Sequence, residues 1–114
     1  MTDCLFCRIA AGEVPCTKVD ETALALAFRD VNPMAPSHVL LIPRQHVAGS
    51  AAELGEVHAP LLADLFTLAA RVAKAEGLHG GWRLVTNVGR DAGQSVHHLH
   101  FHLLGGRALG WPPG

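Results

Sequence analysis

Hydrophobic positions along the chain follow two spacings, that of several short strands and that of one long helix. Apolar or alternating segments at Leu24–Phe28, His38–Pro43, Trp82–Val88 and Val96–Leu104 predict four strands. Between the second and third of them, apolar side chains recur three and four residues apart over Val57–Glu76, which predicts a helix. The pattern therefore combines a small sheet with one long helix.

Shorter signals refine these boundaries. Pro60 inside the helical pattern indicates that the helix begins a few residues into it, and Gly77 is a natural stop. Ser50–Glu53 has the spacing of a capping box. Cys4–Ala11 is an apolar stretch of one or two helical turns, which Gly12 ends. Short turns between strands and one long helix predict an α+β fold, in which the long helix packs on one face of an antiparallel sheet.

Composition narrows the class of protein. A chain of 114 residues with 49% hydrophobic residues is expected to form a single domain over residues 1–114. A net charge of −1 gives no basic surface for a nucleic acid or an anionic membrane, and no apolar run reaches the roughly 20 residues of a membrane span. The N-terminus lacks the pattern of a signal peptide, so we expect a cytoplasmic protein with reduced thiols.

Half of the eight histidines lie in Val96–Leu104. Because strand side chains alternate between faces, His98, His100 and His102 are predicted to line one face. The large apolar residues between them face the core: Leu99, Phe101 and Leu103. The spacing alone leaves catalysis, metal binding and an ordinary surface as comparable alternatives. The preceding Gly93-Gln94-Ser95 favours a ligand site, because a glycine-rich turn, an amide and a hydroxyl can together bind an anion.

The segment from His98 to Leu104 resembles the His-φ-His-φ-His-φ-φ motif of the histidine triad (HIT) family. The resemblance covers nearly the whole chain, and Asp30–His38 and Ile42–His46 resemble earlier blocks of the family. The segments that resemble the Hint-like branch specifically are Asn87, Gly93–Ser95, Leu104–Arg107 and the terminal Trp-Pro-Pro-Gly. It implies a HIT-like fold with a short N-terminal helix, a homodimer, and a phosphoramidase that releases an amine from a purine nucleoside 5′-phosphoramidate.

Cleavage of a phosphorus–nitrogen bond needs a nucleophile, a proton for the amine, and donors for the phosphoryl oxygens. His100 is the predicted nucleophile because neutral imidazole is competent near pH 7 and both neighbouring histidines can support it. Ser95 could pass the proton to the amine. A lone His38 at a strand start would be read as structural, and only the resemblance makes it an orienting partner. The predicted catalytic set is His38, Ser95, His98, His100 and His102.

The nucleoside contacts are predicted partly from chemistry and partly from the resemblance. A carboxylate at Asp30 suits a ribose diol, although an aspartate there can equally stabilise a turn. The resemblance implies an apolar wall that accepts several purines, formed by Phe6, Ile9, Phe28 and Val31, which are equally good core residues. The phosphate is assigned to Asn87, Gly93, Gln94, Ser95 and His102.

The last residues suggest a role for the tail. Trp111 is a large apolar side chain, and leaving it in water would forgo roughly 2–3 kcal/mol of burial. Pro112 and Pro113 keep the segment extended, so we expect it to cross a two-fold interface formed by the long helix and the sheet edge. Trp111 would then reach the partner's pocket on the leaving-group side. The alternative is that it folds back on its own core.

Cys4 and Cys7 form a CxxC pair, which occurs in redox sites and in zinc sites. A tetrahedral zinc site needs two further ligands, and some HIT relatives supply them from positions that correspond to His46 and His98. His97 is the rival to His98. We favour a structural zinc over two buried thiols.

Alternative functions are another HIT activity on dinucleoside polyphosphates or in nucleotidyl transfer, a non-catalytic nucleotide-binding protein, or a zinc-binding regulatory module.

Overall fold

The sheet is antiparallel, as predicted, but it has five strands rather than four. In the computed structural model, which describes residues 3–114, the strand order is β1-β2-β3-β5-β4. The strands are β1 (Lys18–Glu21), β2 (Ala25–Arg29), β3 (Ser37–Pro43), β4 (Trp82–Val85) and β5 (Phe101–Gly105). β1 escaped the sequence prediction because it is a short, mostly polar edge strand whose side chains are at best half-buried.

The predictions of β2 and β3 were right to within a residue, whereas the two later strands are shorter than predicted. β4 ends at Val85, and β5 begins only at Phe101. Before β5 the chain leaves the sheet, and the backbone N–H of Leu99 donates to the carbonyl of Ala48 in a loop. The prediction that His98 and His100 lie within a strand is therefore wrong, although the alternation of their side chains persists.

Two helices flank the sheet. The short helix α1 spans Leu5–Ala10, and the long helix α2 spans Ala59–Ala75, with proline in its first turn where a missing N–H costs nothing. Ser50 does not begin the long helix: its hydroxyl caps a single 3₁₀ turn, Ala51–Glu53, by accepting from Ala52 N at 3.2 Å. The carboxylate of Glu53 accepts from the N–H of Gly49, so the predicted capping box is wrong.

Each face of the sheet has its own core. Along β3 the side chains alternate: Val39 and Leu41 face α2, whereas Leu40 and Ile42 face α1. Both faces of this strand are covered, which explains its continuous run of apolar residues. The α2 core also holds Leu65, Leu68, Val72, Leu99, Phe101 and Leu103. The α1 core also holds Phe6, Ile9, Leu26 and Phe28.

The exit from β5 depends on two glycines. A Cβ on Gly105 would lie 2.7 Å from a methyl carbon of Leu78, so no larger residue fits there without displacement. Gly106 has a φ of +93°, which glycine adopts without strain. The chain therefore turns sharply after β5, as the two glycines in the sequence suggest. No helix within residues 3–114 is long and apolar enough to span a membrane.

Candidate functional site

The three triad histidines lie on the α1 side of the sheet. The ring centroids of His100 and His102 are 5.1 Å apart. The ring of Phe6 in α1 meets His98 and His100 edge-on, at centroid distances of 5.9 and 5.0 Å. His98 and His100 are buried and His102 is partly exposed. The single-sided arrangement predicted from the sequence is thus present, even though only His102 belongs to β5.

Hydrogen bonds to carbonyl groups assign the proton position on two of these rings. A carbonyl oxygen can only accept, so a ring nitrogen bonded to it carries the hydrogen. His98 Nε2 lies 2.9 Å from the carbonyl oxygen of Pro43, which leaves the Nδ1 of a neutral ring as a lone pair. His100 Nδ1 lies 2.7 Å from the carbonyl oxygen of His98, so the Nε2 of neutral His100 carries the lone pair. His100 therefore has the tautomer that a nucleophile at Nε2 requires.

The same logic assigns His38 and His102. The backbone N–H of Met34 donates to His38 Nδ1 at 3.0 Å, so the hydrogen of neutral His38 is on Nε2. His38 Nε2 lies 2.9 Å from His102 Nδ1 and donates to it, which leaves a neutral His102 with its hydrogen on Nε2. His102 can therefore donate to a ligand through Nε2.

Burial keeps both rings neutral. It lowers the pKa of His38, partly opposed by the carboxylate of Asp30, whose Oδ2 lies 3.4 Å from His38 Nε2. Burial, together with the neighbouring His100 and His38, lowers the pKa of His102 to about 4. The ligand atoms of Asp30, His38 and His102 lie within 4.8 Å of one another, close enough for a metal. However, His38 presents an N–H to the group rather than a lone pair, which favours a hydrogen-bonded chain.

A second cluster has the donor set of a zinc site. The ligand atoms of Cys4, Cys7, His46 and His98 all lie within 4.8 Å of one another. His98 Nδ1 is 3.2 Å from Cys4 Sγ and 3.5 Å from Cys7 Sγ, and His46 Nδ1 is 3.7 Å from Cys7 Sγ. Usual zinc bond lengths in tetrahedral geometry place sulfur and nitrogen ligands about 3.6 Å apart.

The protonation state of His98 also suits a metal ligand. Its Nδ1 lone pair faces the two sulfur atoms, while its Nε2–H is held by the Pro43 carbonyl, an arrangement typical of metal-bound histidine. Burial lowers the pKa of His98, which favours the neutral ring. These residues therefore fit zinc. His97, the rival ligand, is exposed and is not part of the cluster.

Most of the predicted nucleoside contacts line one cavity of about 330 Å³. Asp30 lines this cavity, and it also stabilises the turn that follows, because its Oδ1 accepts from the N–H of Asn32 at 2.8 Å. Val31 lines the cavity but is 93% exposed, so it is not a core residue. Phe6 does not line the cavity and instead packs behind Phe28, with ring centroids 5.8 Å apart. The cavity is lined by Ile9, Pro15, Cys16, Thr17, Phe28, Arg29, Asp30 and Val31.

Four of these lining residues were not predicted from the sequence. Pro15, Cys16 and Thr17 lie in the connection to the unpredicted strand β1, and Arg29 extends β2 by one residue. Nothing in their spacing or composition marks them, because a loop side chain reaches the cavity only through the pairing of β1 with β2. A prediction of β1 would have pointed to Pro15, Cys16 and Thr17, and a β2 prediction one residue longer would have included Arg29.

The predicted phosphate loop is held together by Gln94. Its side-chain oxygen accepts from the N–H of Gly89, and its amide nitrogen donates to the carbonyls of Gly49 and Val96. Both amide hydrogens are thus used within the protein, so the expectation that this amide binds an anion is not met. Gly93 has a φ of +81°, which suits glycine. Ser95, which follows, is exposed.

Asn87 lies in the segment that follows β4. The hydroxyl of Thr86 donates to the carbonyl of His100 at 2.7 Å, and Asn87 follows it, half-buried.

At the C-terminus, Arg83 of β4 donates to the carbonyl of Gly110 at 2.9 Å, which holds the tail near the edge of the sheet. Trp111 is 83% exposed, so the alternative that it folds back on its own core is wrong.

Comparisons with known proteins match both the sequence and the fold of this chain. A model of the HIT domain matches residues 11–109. A HIT family hydrolase from Legionella pneumophila is 50% identical, with a TM-score of 0.94 over 98% of this chain and 100% of that one. A histidine triad nucleotide-binding protein from Candida albicans is 33% identical, with a TM-score of 0.80 over 96% and 83%. The 14 kDa zinc-binding protein of Zea mays is 47% identical over 111 residues, which are 96% of this chain and 87% of that protein. The chain therefore belongs to the HIT domain family.

Proposed function

We propose that this protein is a phosphoramidase that hydrolyses the P–N bond of purine nucleoside 5′-phosphoramidates. The observation that carries the proposal is the tautomer of His100. Its Nδ1–H is bonded to the carbonyl of His98 at 2.7 Å, so the Nε2 lone pair remains for attack on phosphorus. The ring becomes cationic when it attacks, and the carbonyl then accepts a stronger hydrogen bond from Nδ1.

The reaction would proceed in two steps. In the first, a bond forms between His100 Nε2 and phosphorus while the P–N bond breaks, and the bonding pair leaves with the amine nitrogen. The exposed Ser95 hydroxyl would pass a proton from water to that nitrogen. In the second step, water attacks the nucleotidyl-histidine, and the P–N bond to His100 breaks with its electron pair returning to Nε2. The water loses a proton to solvent, and the nucleoside monophosphate is released.

The phosphoryl oxygens need donors that are already oriented. His102 would supply its Nε2–H, because His38 donates to its other nitrogen at 2.9 Å. We assign further contacts to Asn87 and to the backbone of Gly93 and Ser95. Gln94 would act by holding this loop through its three hydrogen bonds.

The cavity beside Asp30 would receive the nucleoside. Its apolar walls offer a slot for a flat base, and the Asp30 carboxylate would accept hydrogen bonds from the two ribose hydroxyls. The Oδ2 atom of Asp30 also lies 3.4 Å from His38 Nε2, so the proposed sugar ligand Asp30 lies next to the hydrogen-bonded pair of His38 and His102. A purine nucleoside 5′-phosphate would thus extend from the cavity toward His100 and His102.

The test is hydrolysis of a panel of adenosine and guanosine phosphoramidates by the purified protein. We expect amine release at rates that exceed those for dinucleoside polyphosphates. Faster cleavage of dinucleoside polyphosphates would instead assign the related HIT activity. Tight binding of nucleotides without turnover of any compound would assign a non-catalytic nucleotide-binding protein.

We also propose that Cys4, Cys7, His46 and His98 bind one structural zinc ion, which cross-links the N-terminal segment to the rest of the fold. All four ligands would come from the protein, so no open position remains for chemistry. Elemental analysis should give near one zinc per chain. Cys7→Ser should lose the metal and lower the thermal stability, whereas Cys16→Ser, which lies outside the cluster, should retain it.

We propose further that the protein is a homodimer built through β4 and α2. β4 is at the edge of the sheet, and large apolar side chains on both elements are exposed, with Trp82 of β4 at 42% and Phe66 of α2 at 54%. A second copy would cover these side chains and bring Trp111 close to the partner's leaving-group site. Light scattering tests the dimer directly, and a monomer at working concentration would refute it.

A further inference from the structure

We propose that the zinc cluster and the nucleoside cavity are energetically coupled. Zinc bound at the cluster would raise the affinity of the cavity for a nucleotide, and a bound nucleotide would raise the affinity of the cluster for zinc. The proposal rests on the proposed function, since it takes zinc and a purine nucleotide as the two ligands. It adds that zinc controls nucleotide binding in addition to stabilising the fold. Two structural connections between the sites carry it, one through α1 and one through His98.

The first connection is that α1 belongs to both sites. Cys4 caps this helix and Cys7 lies within it, so the helix supplies both sulfur ligands. Ile9, two residues after Cys7, lines the nucleoside cavity. Phe6, between the cysteines, packs on Phe28, which lines the same cavity, at a centroid distance of 5.8 Å. Any displacement of α1 at the sulfur atoms therefore moves a wall of the cavity.

The helix is too short to hold this position by itself. α1 has only six residues, whereas isolated helices are marginal below roughly 12–15 residues. Its placement depends on the burial of Phe6 and Ile9 against the sheet and on the contacts of its two cysteines with His98. Zinc at the cysteines would add to the tethering of the helix, and a nucleotide against Ile9 would do the same from the other end.

The second connection is His98, which contacts both sites through different atoms. Its Nδ1 faces the sulfur atoms of Cys4 and Cys7 at 3.2 and 3.5 Å. Its carbonyl accepts from His100 Nδ1 at 2.7 Å and so sets the tautomer of the proposed nucleophile. Its side chain is 0% exposed, which leaves it little room to reorient alone. A fixed imidazole at His98 therefore fixes the backbone that holds His100.

Linkage makes the proposal measurable in either direction, because the coupling factor for two binding equilibria is the same from both sides. The experiment measures zinc affinity by equilibrium competition with a chromogenic chelator, with and without saturating adenosine 5′-monophosphate. We expect the nucleotide to raise zinc affinity about tenfold, within the usual range of such couplings. Calorimetry should give the same factor for the nucleotide between the zinc-loaded and the zinc-depleted protein.

Variants on α1 test the route of the coupling. Phe6→Leu should retain zinc and nucleotide binding but bring the coupling factor toward one, because the smaller side chain loses the contacts with His98 and Phe28. Leu5→Ala changes a 44% exposed neighbour on the same helix and should keep the full factor. The nitrogen chemical shifts of the His100 ring give a further readout, since they should change when zinc is removed.

The outcomes separate this proposal from the proposed function. Equal zinc affinity with and without nucleotide, in a protein that binds both, overturns the coupling and leaves the proposed function intact. A zinc-loaded protein that binds no nucleotide overturns both. Should Phe6→Leu fail to fold, the competition measurement on the wild-type protein decides the question by itself.

Discussion

His38 is expected to act on phosphate chemistry entirely through its neighbour His102. Its Nε2–H donates to His102 Nδ1 at 2.9 Å and thereby holds the His102 hydrogen on Nε2, the nitrogen to which we assign the phosphate contact. In His38→Ala the Nδ1 acceptor of His102 loses its partner in a half-buried setting, at a cost of about 1–3 kcal/mol. If His102 contributes in the transition state, that cost corresponds to a loss in kcat of roughly 5- to 150-fold.

The assay is steady-state hydrolysis of adenosine 5′-phosphoramidate with kcat and KM resolved. We expect the loss in kcat, with KM within about threefold, because the ribose contact is assigned to Asp30. His38→Gln should recover part of kcat, since its amide can donate from near the same place. His79→Ala removes an exposed histidine outside the site and should change neither constant. A His38→Ala enzyme with wild-type kcat would refute the role of this hydrogen bond.

The remaining predictions address the nucleophile, the pH dependence, the strand exit and the tail. His100→Asn should abolish hydrolysis but still bind nucleotide. Mass spectrometry of wild-type protein quenched during turnover should find a nucleotidyl adduct on His100. A His100→Asn variant with the full rate would exclude His100 as the nucleophile. Folded His102 has a pKa near 4 against an ordinary 6.5, so the unfolded chain takes up its proton first as the pH falls. The free energy of unfolding should therefore fall between about pH 6.5 and 4 by up to ~1.4 kcal/mol per unit, and His102→Asn should flatten that part of the denaturation profile. Gly105→Ala should lower the unfolding free energy by roughly 1–3 kcal/mol because its Cβ would overlap Leu78, whereas an unchanged denaturation midpoint would show that Leu78 gives way freely. Deletion of Leu109–Gly114 should change the relative rates among leaving amines more than it changes nucleotide affinity; unchanged relative rates would remove Trp111 from the leaving-group site.

The elements with a strong burial pattern were predictable from the sequence. β3 is apolar throughout because helices cover both of its faces, and α2 carries a regular apolar stripe because it covers one face. β1 was not predictable, since Lys18–Glu21 is polar and owes its extended form to pairing with β2. The local sequence therefore predicts buried elements well and edge strands poorly, because an edge strand needs little apolar surface.

The triad segment illustrates a different limit. Its alternation of histidine and large apolar residues predicts which side chains share a face, and that prediction is confirmed. The length of the strand is another matter, because residues before Phe101 bond to the loop at Ala48 and to a carbonyl within the segment itself. These hydrogen-bond partners lie outside the sheet, and the residue types in the segment do not reveal them.

The division of labour among the histidines follows from their second nitrogen atoms. The rings are chemically identical, so their roles are set by the partner that each ring bonds on the side away from the ligand. His100 donates from Nδ1 to a carbonyl, which leaves its lone pair on Nε2. His98 donates from Nε2 to a carbonyl, which leaves its lone pair on Nδ1, facing the sulfur atoms. An imidazole N–H on Nδ1 makes His102 a donor at Nε2. Three alternate positions of one residue type can therefore supply the proposed nucleophile, metal ligand and phosphate donor, because the backbone and His38 fix which nitrogen of each ring carries its hydrogen.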